Sequence, residues 1–206
     1  MSAATLPGTE QPVLIAAAGH GRRFGGPKVF ARADGTTFLE RILARCREAG
    51  APVTLVVDPA FRERVATALP GDLAVRLVEA DGTHPMLASV QAGLAAGGFE
   101  RGFWMWPVDA PFLSPVGWTR AVRAVAGAPE HVWKLRSEGR GGHPTWFPGW
   151  AVPLIRTGDW PDGLQGFFRD HEAAIRLLHL DGETLRDVDT PEDLHAVTGT
   201  GGRGSD

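Results

Sequence analysis

Tyrosine is missing altogether from the 206 residues, cysteine occurs once, and only two of the 21 basic residues are lysines. The lone Cys46 excludes an internal disulfide and leaves no cysteine pair for a zinc site. It falls on the apolar face of a predicted helix, where plain core packing is its expected role. No apolar run reaches the about 18 residues that a membrane-spanning helix needs. Met1 to Gln11 has neither the basic start nor the hydrophobic stretch of a secretory leader, so the expected location is cytoplasmic. A net charge of −3 gives no general attraction toward nucleic acid or an anionic membrane, and neither is expected as a partner.

What the chain does contain is an alternation of apolar β-type runs with amphipathic helical stretches. That is the pattern of an α/β fold with a mostly parallel sheet. The length suits one domain, placed at residues 11–198, with disorder expected for 1–10 and for the tail 199–206. Strands are expected at Pro12–Ile15, Pro52–Val57, Ala74–Val78, Phe103–Val108, Val132–Arg136 and Ile175–Leu180. Phe38, Leu39, Ile42, Leu43, Cys46 and Ala49 recur at helical spacing, with Thr37 and Glu40 as a capping box and Gly50 as the stop. Asp58-Pro59, Ser114-Pro115 and Thr190-Pro191 each read as a cap followed by proline at the first helical position. Further helices are expected over Met86–Ala96 and Leu164–His171. Ser137–Gly142 reads as a glycine-rich turn, and Pro144–Gly163 gives no assignable pattern. Trp104 and Trp106 alternate on one strand and so share a face, where core packing outweighs ligand stacking.

The stretch Ala16-Ala17-Ala18-Gly19-His20-Gly21-Arg22-Arg23-Phe24-Gly25-Gly26-Pro27-Lys28 follows the first strand directly. Glycines there let backbone N–H groups approach an anion, and fixed cations neutralise it, so the segment reads as a phosphate-binding loop. It is not a dinucleotide fingerprint, because Phe24 stands where the third glycine belongs. Nor is it a P-loop, because Pro27 intervenes before Lys28 and Val29 replaces the hydroxyl residue. Asp109, in Pro107-Val108-Asp109-Ala110-Pro111-Phe112, ends the fourth strand at the carboxyl edge where open α/β sheets bind ligands. A lone carboxylate there suits Mg²⁺, which takes the rest of its shell from water and substrate phosphates. A turn-forming Asp before Pro111 is the plainer alternative.

Gly19, Arg23, Gly25 and Lys28 fall in register with the G-x-x-x-R-x-G-x-x-K signature of the NTP transferase (nucleotidyltransferase) superfamily. The Ala-Ala-Gly form of the loop and the triplet Gly142-His143-Pro144 resemble its molybdenum-cofactor cytidylyltransferase branch. Val108-Asp109-Ala110-Pro111-Phe112 and Asp187-Val188-Asp189-Thr190-Pro191-Glu192-Asp193-Leu194 resemble two further motifs of the superfamily. The resemblance covers most of Ile15 to Val197. It implies a Rossmann-like three-layer sandwich and Mg²⁺-dependent transfer of a nucleoside monophosphate to a phosphorylated acceptor, with release of pyrophosphate. Lys28 and Arg23 take the catalytic roles in this reading. Ala16, Ala17, Ala18, Gly19, Gly21, Gly25, Asp81 and Ser89 bind nucleotide, Asp109 and Asp189 hold the metal, and His143 meets the acceptor. Asp187, Glu192 and Asp193 are expected as surface or capping carboxylates. CTP and the molybdopterin cofactor are the implied substrates, with a molybdoenzyme as a client. A sugar- or polyol-phosphate acceptor, or a non-catalytic chaperone for a molybdoenzyme, remain alternatives. A Rossmann oxidoreductase is the weakest, for want of the third glycine.

Overall fold

The computed structural model describes residues 11–199; the expected disorder at 1–10, and that of the 199–206 tail beyond Gly199, lies outside the described residues. Strand β1 (Val13–Ala16) is followed by a two-stranded ribbon, β2 (Arg32–Ala33) and β3 (Thr36–Thr37), and then by α1 (Phe38–Ala49). Next come β4 (Val53–Val57), α2 (Arg62–Ala68), β5 (Val75–Glu79), α3 (Met86–Ala95), β6 (Gly102–Pro107) and α4 (Pro115–Gly127). The second half supplies β7 (Val132–Ser137), β8 (Arg140–Pro148), α5 (Ala151–Thr157), α6 (Leu164–Asp170), β9 (Ile175–His179) and α7 (Pro191–Thr198).

Seven strands form one sheet in the order β5-β4-β1-β6-β8-β7-β9. Strands β5, β4, β1 and β6 are parallel, β8 runs antiparallel to both β6 and β7, and β9 is parallel to β7. The chain winds outward from β1 through β4 to β5, then returns to the other side of β1 as β6. This reversal places a crevice between β1 and β6 at their carboxyl ends. Alternation along the strands divides the core between two faces. Val13, Ile15, Trp104 and Trp106 pack under α1 and α4, while Leu14, Phe103 and Met105 pack under α3, α5 and α6. The expected three-layer α/β architecture is the one observed.

Local signals explain the helix boundaries. Thr37 and Glu40 cap each other's backbone at the start of α1, and Gly50 ends it in the left-handed conformation. Ser114 accepts from the Gly117 N–H with Pro115 at the first helical position. Trp104 and Trp106 are fully buried against Trp118, at ring separations of 5.1 and 5.0 Å, so the packing role holds. Cys46 is fully buried as well.

Two readings need correction. The turn expected over Ser137–Gly142 is shorter, because β8 already begins at Arg140. The unassigned stretch from Pro144 continues that strand to Pro148 and then forms α5. Pro144 obscured the strand, since proline cannot donate to a ladder. The register steps from Lys134↔Thr145 to Leu135↔Gly142, so His143 and Pro144 sit in a bulge with no residue opposite them.

Candidate active site

The glycine loop leaves the end of β1 and folds back on itself. Gly21 O accepts from the N–H groups of Phe24, Gly25 and Gly26 at 2.9, 3.0 and 3.2 Å. Gly21 has φ +60°, and a Cβ there would lie 2.0 Å from Gly26 O, so no other residue fits this turn. Pro27 then starts a single 3₁₀ turn, Lys28–Phe30, that aims the Lys28 side chain back under the loop.

Lys28 meets both aspartates singled out above. Its Nζ donates to Asp109 Oδ2 at 2.9 Å and to Asp189 Oδ1 at 2.6 Å. Arg23 Nη2 reaches the other oxygen of Asp189 at 2.9 Å. The backbone fixes the same juxtaposition, because Val188 N–H donates to Asp109 O at 2.8 Å. Burial alone would push the Lys28 ammonium down, but the Asp109 charge and the hydrogen bonds to Asp189 and Asp109 outweigh it and hold its pKa above the ordinary lysine value. Asp189 is held below the usual carboxylate range by its Lys28 hydrogen bond, by the Lys28 charge and by Arg23. Asp193 plays the expected capping part, accepting from the N–H groups of Asp189 and Thr190. Asp187 is exposed, as expected of a surface carboxylate. Although much of it is open to solvent, its protein surroundings and the charges of Asp109 and Asp189 push its pKa up to about 6.

The opposite wall rests on a residue that sequence reasoning treated only as a helix cap. Asp58 does cap, through Oδ1 and Ala60 N–H at 2.9 Å. Its Oδ2 also bonds His20 Nε2 at 2.9 Å and accepts from Gly82 N–H at 3.0 Å. Those bonds, His20 first, lower the Asp58 pKa to about 2. One carboxylate thereby ties the glycine loop, the end of β4 and the 81–84 loop together. A Cβ on Gly82 would lie 1.9 Å from Ala18 O, so the two loops meet at backbone contact.

Between these walls is a cleft of about 260 Å³, lined by Ala16, Ala18, Gly19, Gly21, Arg23, Lys28, Gly82, His84, Met86, Ser89, Pro107, Val108, Asp109 and Asp189. A larger hollow of about 440 Å³, beside Gln11, Trp146 and Trp150, lies at the other end of β1 and β6 and contains none of the motif residues.

Three of the expected nucleotide contacts are placed otherwise. The Ala17 side chain is in the core, and its N–H is bonded to Val56 O. Gly25 is outside the cleft lining, with its N–H bonded to Gly21 O. Asp81 turns into its own loop, accepting from Thr83 N–H at 2.8 Å and pairing with His84 at 3.2 Å, and Gly82 and His84 line the cleft in its place. His143 lies beyond the cleft lining, in the β8 bulge, where burial lowers its pKa to about 4 despite the opposing pull of Asp109.

Among the described residues no three His, Cys, Asp or Glu side chains are grouped closely enough to hold a metal by themselves. The residues present nevertheless fit Mg²⁺. Asp109 Oδ1 is buried without a hydrogen-bond partner, and Asp189 faces the same ammonium as Asp109. Two carboxylates and a remainder of water and phosphate oxygens match that ion's habit.

A family model described as a MobA-like NTP transferase domain matches residues 13–175. The chain belongs to this family. As a MobA-like NTP transferase it is a nucleotidyltransferase, and the solved structures it resembles share its architecture. The crystal structure of Rv0371c from Mycobacterium tuberculosis H37Rv is 26% identical with a TM-score of 0.76, over 93% of this chain and 99% of that one. A manganese complex of Rv0371c is 23% identical at 0.75, over 93% and 100%. The 4-diphosphocytidyl-2C-methyl-D-erythritol synthase from Anaerococcus prevotii is 17% identical at 0.76, covering 98% and 100%. An inositol-1-phosphate CTP transferase from T. maritima is 15% identical at 0.70, covering 97% and 99%. No match is found among curated proteins.

Proposed function

We propose that this nucleotidyltransferase moves CMP from CTP onto a phosphorylated acceptor, the molybdopterin cofactor before others, and releases pyrophosphate. The observation that carries the reading is Lys28, spanning Asp109 and Asp189 on the floor of the glycine-loop cleft. The Ala17-Ala18-Gly19 form of the loop and the Gly142-His143-Pro144 triplet favour the molybdenum-cofactor branch, with a molybdoenzyme as the receiver of the product. A sugar- or polyol-phosphate acceptor is the second reading. It is favoured by the fold shared with an inositol-1-phosphate CTP transferase.

The phosphates of the nucleotide enter against the Gly19 and Gly21 backbone, and Ser89 faces them from the start of α3. Lys28 remains charged, so it serves as a cation beside the reacting phosphate and not as a base. Arg23 neutralises the departing pyrophosphate. A phosphomonoester is already largely ionised near neutrality, its second pKa being about 6, so the acceptor needs no general base. His143 meets the acceptor from the β8 side. Mg²⁺, when held by Asp109 and Asp189, supplies Lewis-acid neutralisation of the phosphates.

Pyrophosphate release with Mg²⁺, each of the four NTPs and molybdopterin tests the reading. CTP-selective release that falls at least ~100-fold in Lys28→Ala is expected, the scale of losing one preorganised electrostatic donor. Near-normal turnover in that variant overturns it, and release with a sugar or polyol phosphate alone moves the acceptor.

A further inference from the structure

One of the two lysines is at the centre of the cleft; the other, Lys134, is left over. It lies on β7 at the edge of the β8 bulge, and its Nζ is 4.0 Å from the centre of the Phe168 ring on α6. The ammonium is half-buried. Burial and the nearby positive charge of Arg136 both lower its pKa, and no carboxylate among the described residues opposes them. His143 is the neighbour across the bulge, and it feels the charges of both Asp109 and Lys134. Its backbone N–H is bonded to Leu185 O at 3.1 Å, while its imidazole Nδ1 is buried without a partner. Lys134 and Arg136 therefore put two positive charges beside an unsatisfied imidazole nitrogen, and His143, which feels both Lys134 and Asp109, is the link from this group to the carboxylates of the cleft. Holding like charges together in a half-buried position is unfavourable unless an anion joins them.

We propose that the Lys134 ammonium, seated on Phe168 beside His143, binds a phosphoryl oxyanion of the acceptor and so selects phosphorylated acceptors. The proposal rests on the nucleotidyl-transfer reading. It assigns the acceptor's anion to a group that none of the glycine-loop and aspartate motifs contains. Phe168 sets the position of the ammonium through the face of its ring. Arg136 adds a second positive charge, which favours a doubly charged phosphoryl group over a carboxylate.

Because the chain has two lysines, selective ¹³C-lysine labelling gives two Cε signals, assigned by Lys134→Arg. Saturating Mg²⁺–CTP is expected to move the Lys28 signal. Inorganic phosphate added on top should then move the Lys134 signal saturably, whereas acetate should not. Calorimetry on the CTP-saturated protein should show phosphate affinity falling at least ~10-fold in Lys134→Met, the scale of losing a hydrogen bond to a charged group. Lys134→Arg should retain most of it. An unchanged Lys28 response to Mg²⁺–CTP in Lys134→Met shows that the variant is folded. A Lys134 signal unmoved by phosphate, while Lys28 still answers CTP, overturns the proposal and leaves the nucleotidyl reading standing. An equal response to acetate overturns the phosphoryl assignment. A Lys28 signal silent to every Mg²⁺–NTP overturns the nucleotidyl reading and this proposal with it.

Discussion

Lys28 holds two carboxylates that would otherwise face each other uncompensated, and its removal has a thermodynamic as well as a kinetic consequence. Lys28→Met should lower unfolding stability in EDTA by roughly 1–3 kcal/mol, the cost of leaving a charged partner unsatisfied. Added Mg²⁺ should recover part of that loss; denaturant titrations with and without the ion provide the check. His143 and Asp58 set the acid limb. His143 has its folded pKa depressed to about 4, so its contribution is full above its ordinary value of 6.5 and is lost as pH falls toward 4. Asp58 contributes above 3.8 and loses its part as pH falls toward about 2. Asp187, its pKa raised to about 6, works the other way and gains stability as pH falls from about 6 toward 3.8, offsetting part of the His143 loss. His143→Gln should therefore raise the thermal midpoint near pH 4–5 relative to the parent while leaving the lower, Asp58 decline in place. Lys28, Arg23, Asp109 and Asp189 were legible because each lies in a contiguous motif. The second task of Asp58 was not, because a carboxylate has two oxygens and the Asp-Pro pair accounts only for the one that caps a helix. Asp187 is the surface carboxylate expected, but its raised pKa was not legible, because one of the charges that raise it, Asp109, comes from a distant segment.

Among the elements, α1 was readable to the residue because its cap, stop and apolar stripe agree. Thr37→Ala removes half of a reciprocal cap and should cost about 1 kcal/mol, or roughly 2–4 °C in melting temperature for a chain of this size. The main-sheet strands of the first half were legible to within a residue at each end, being short runs bounded by turn residues, but the β2–β3 ribbon was not expected, because Arg32–Ala33 and Thr36–Thr37 carry no apolar run. The second half was not as legible, because β8 carries a glycine pair and an internal proline, Pro144, and its irregularity is a bulge that only pairing reveals. The 81–84 loop gives a sharper test of the cleft. Gly82→Ala forces a methyl against Ala18 O and should abolish the thermal shift produced by Mg²⁺–CTP, whereas an alanine at the open Gly71 should leave it intact.

For the molecule as a whole, the decisive feature is the reversal of strand order between β1 and β6. It brings the loop after one strand and the aspartate after the other to one crevice. Ligand held there should stabilise the entire fold. Mg²⁺–CTP at ~100 times its Kd corresponds to about 2.7 kcal/mol, or roughly 5–10 °C, and Asp109→Asn should shrink that shift. The Val188–Asp109 backbone bond carries a consequence for the order of events during synthesis. Lys28 and Asp189 are 161 residues apart, and chains emerge at about 5–20 residues per second, so roughly 8–30 s separate the appearance of the two groups. A nascent chain thus exposes its glycine loop well before its second aspartate, and transfer competence comes last, when the segment after β9 docks.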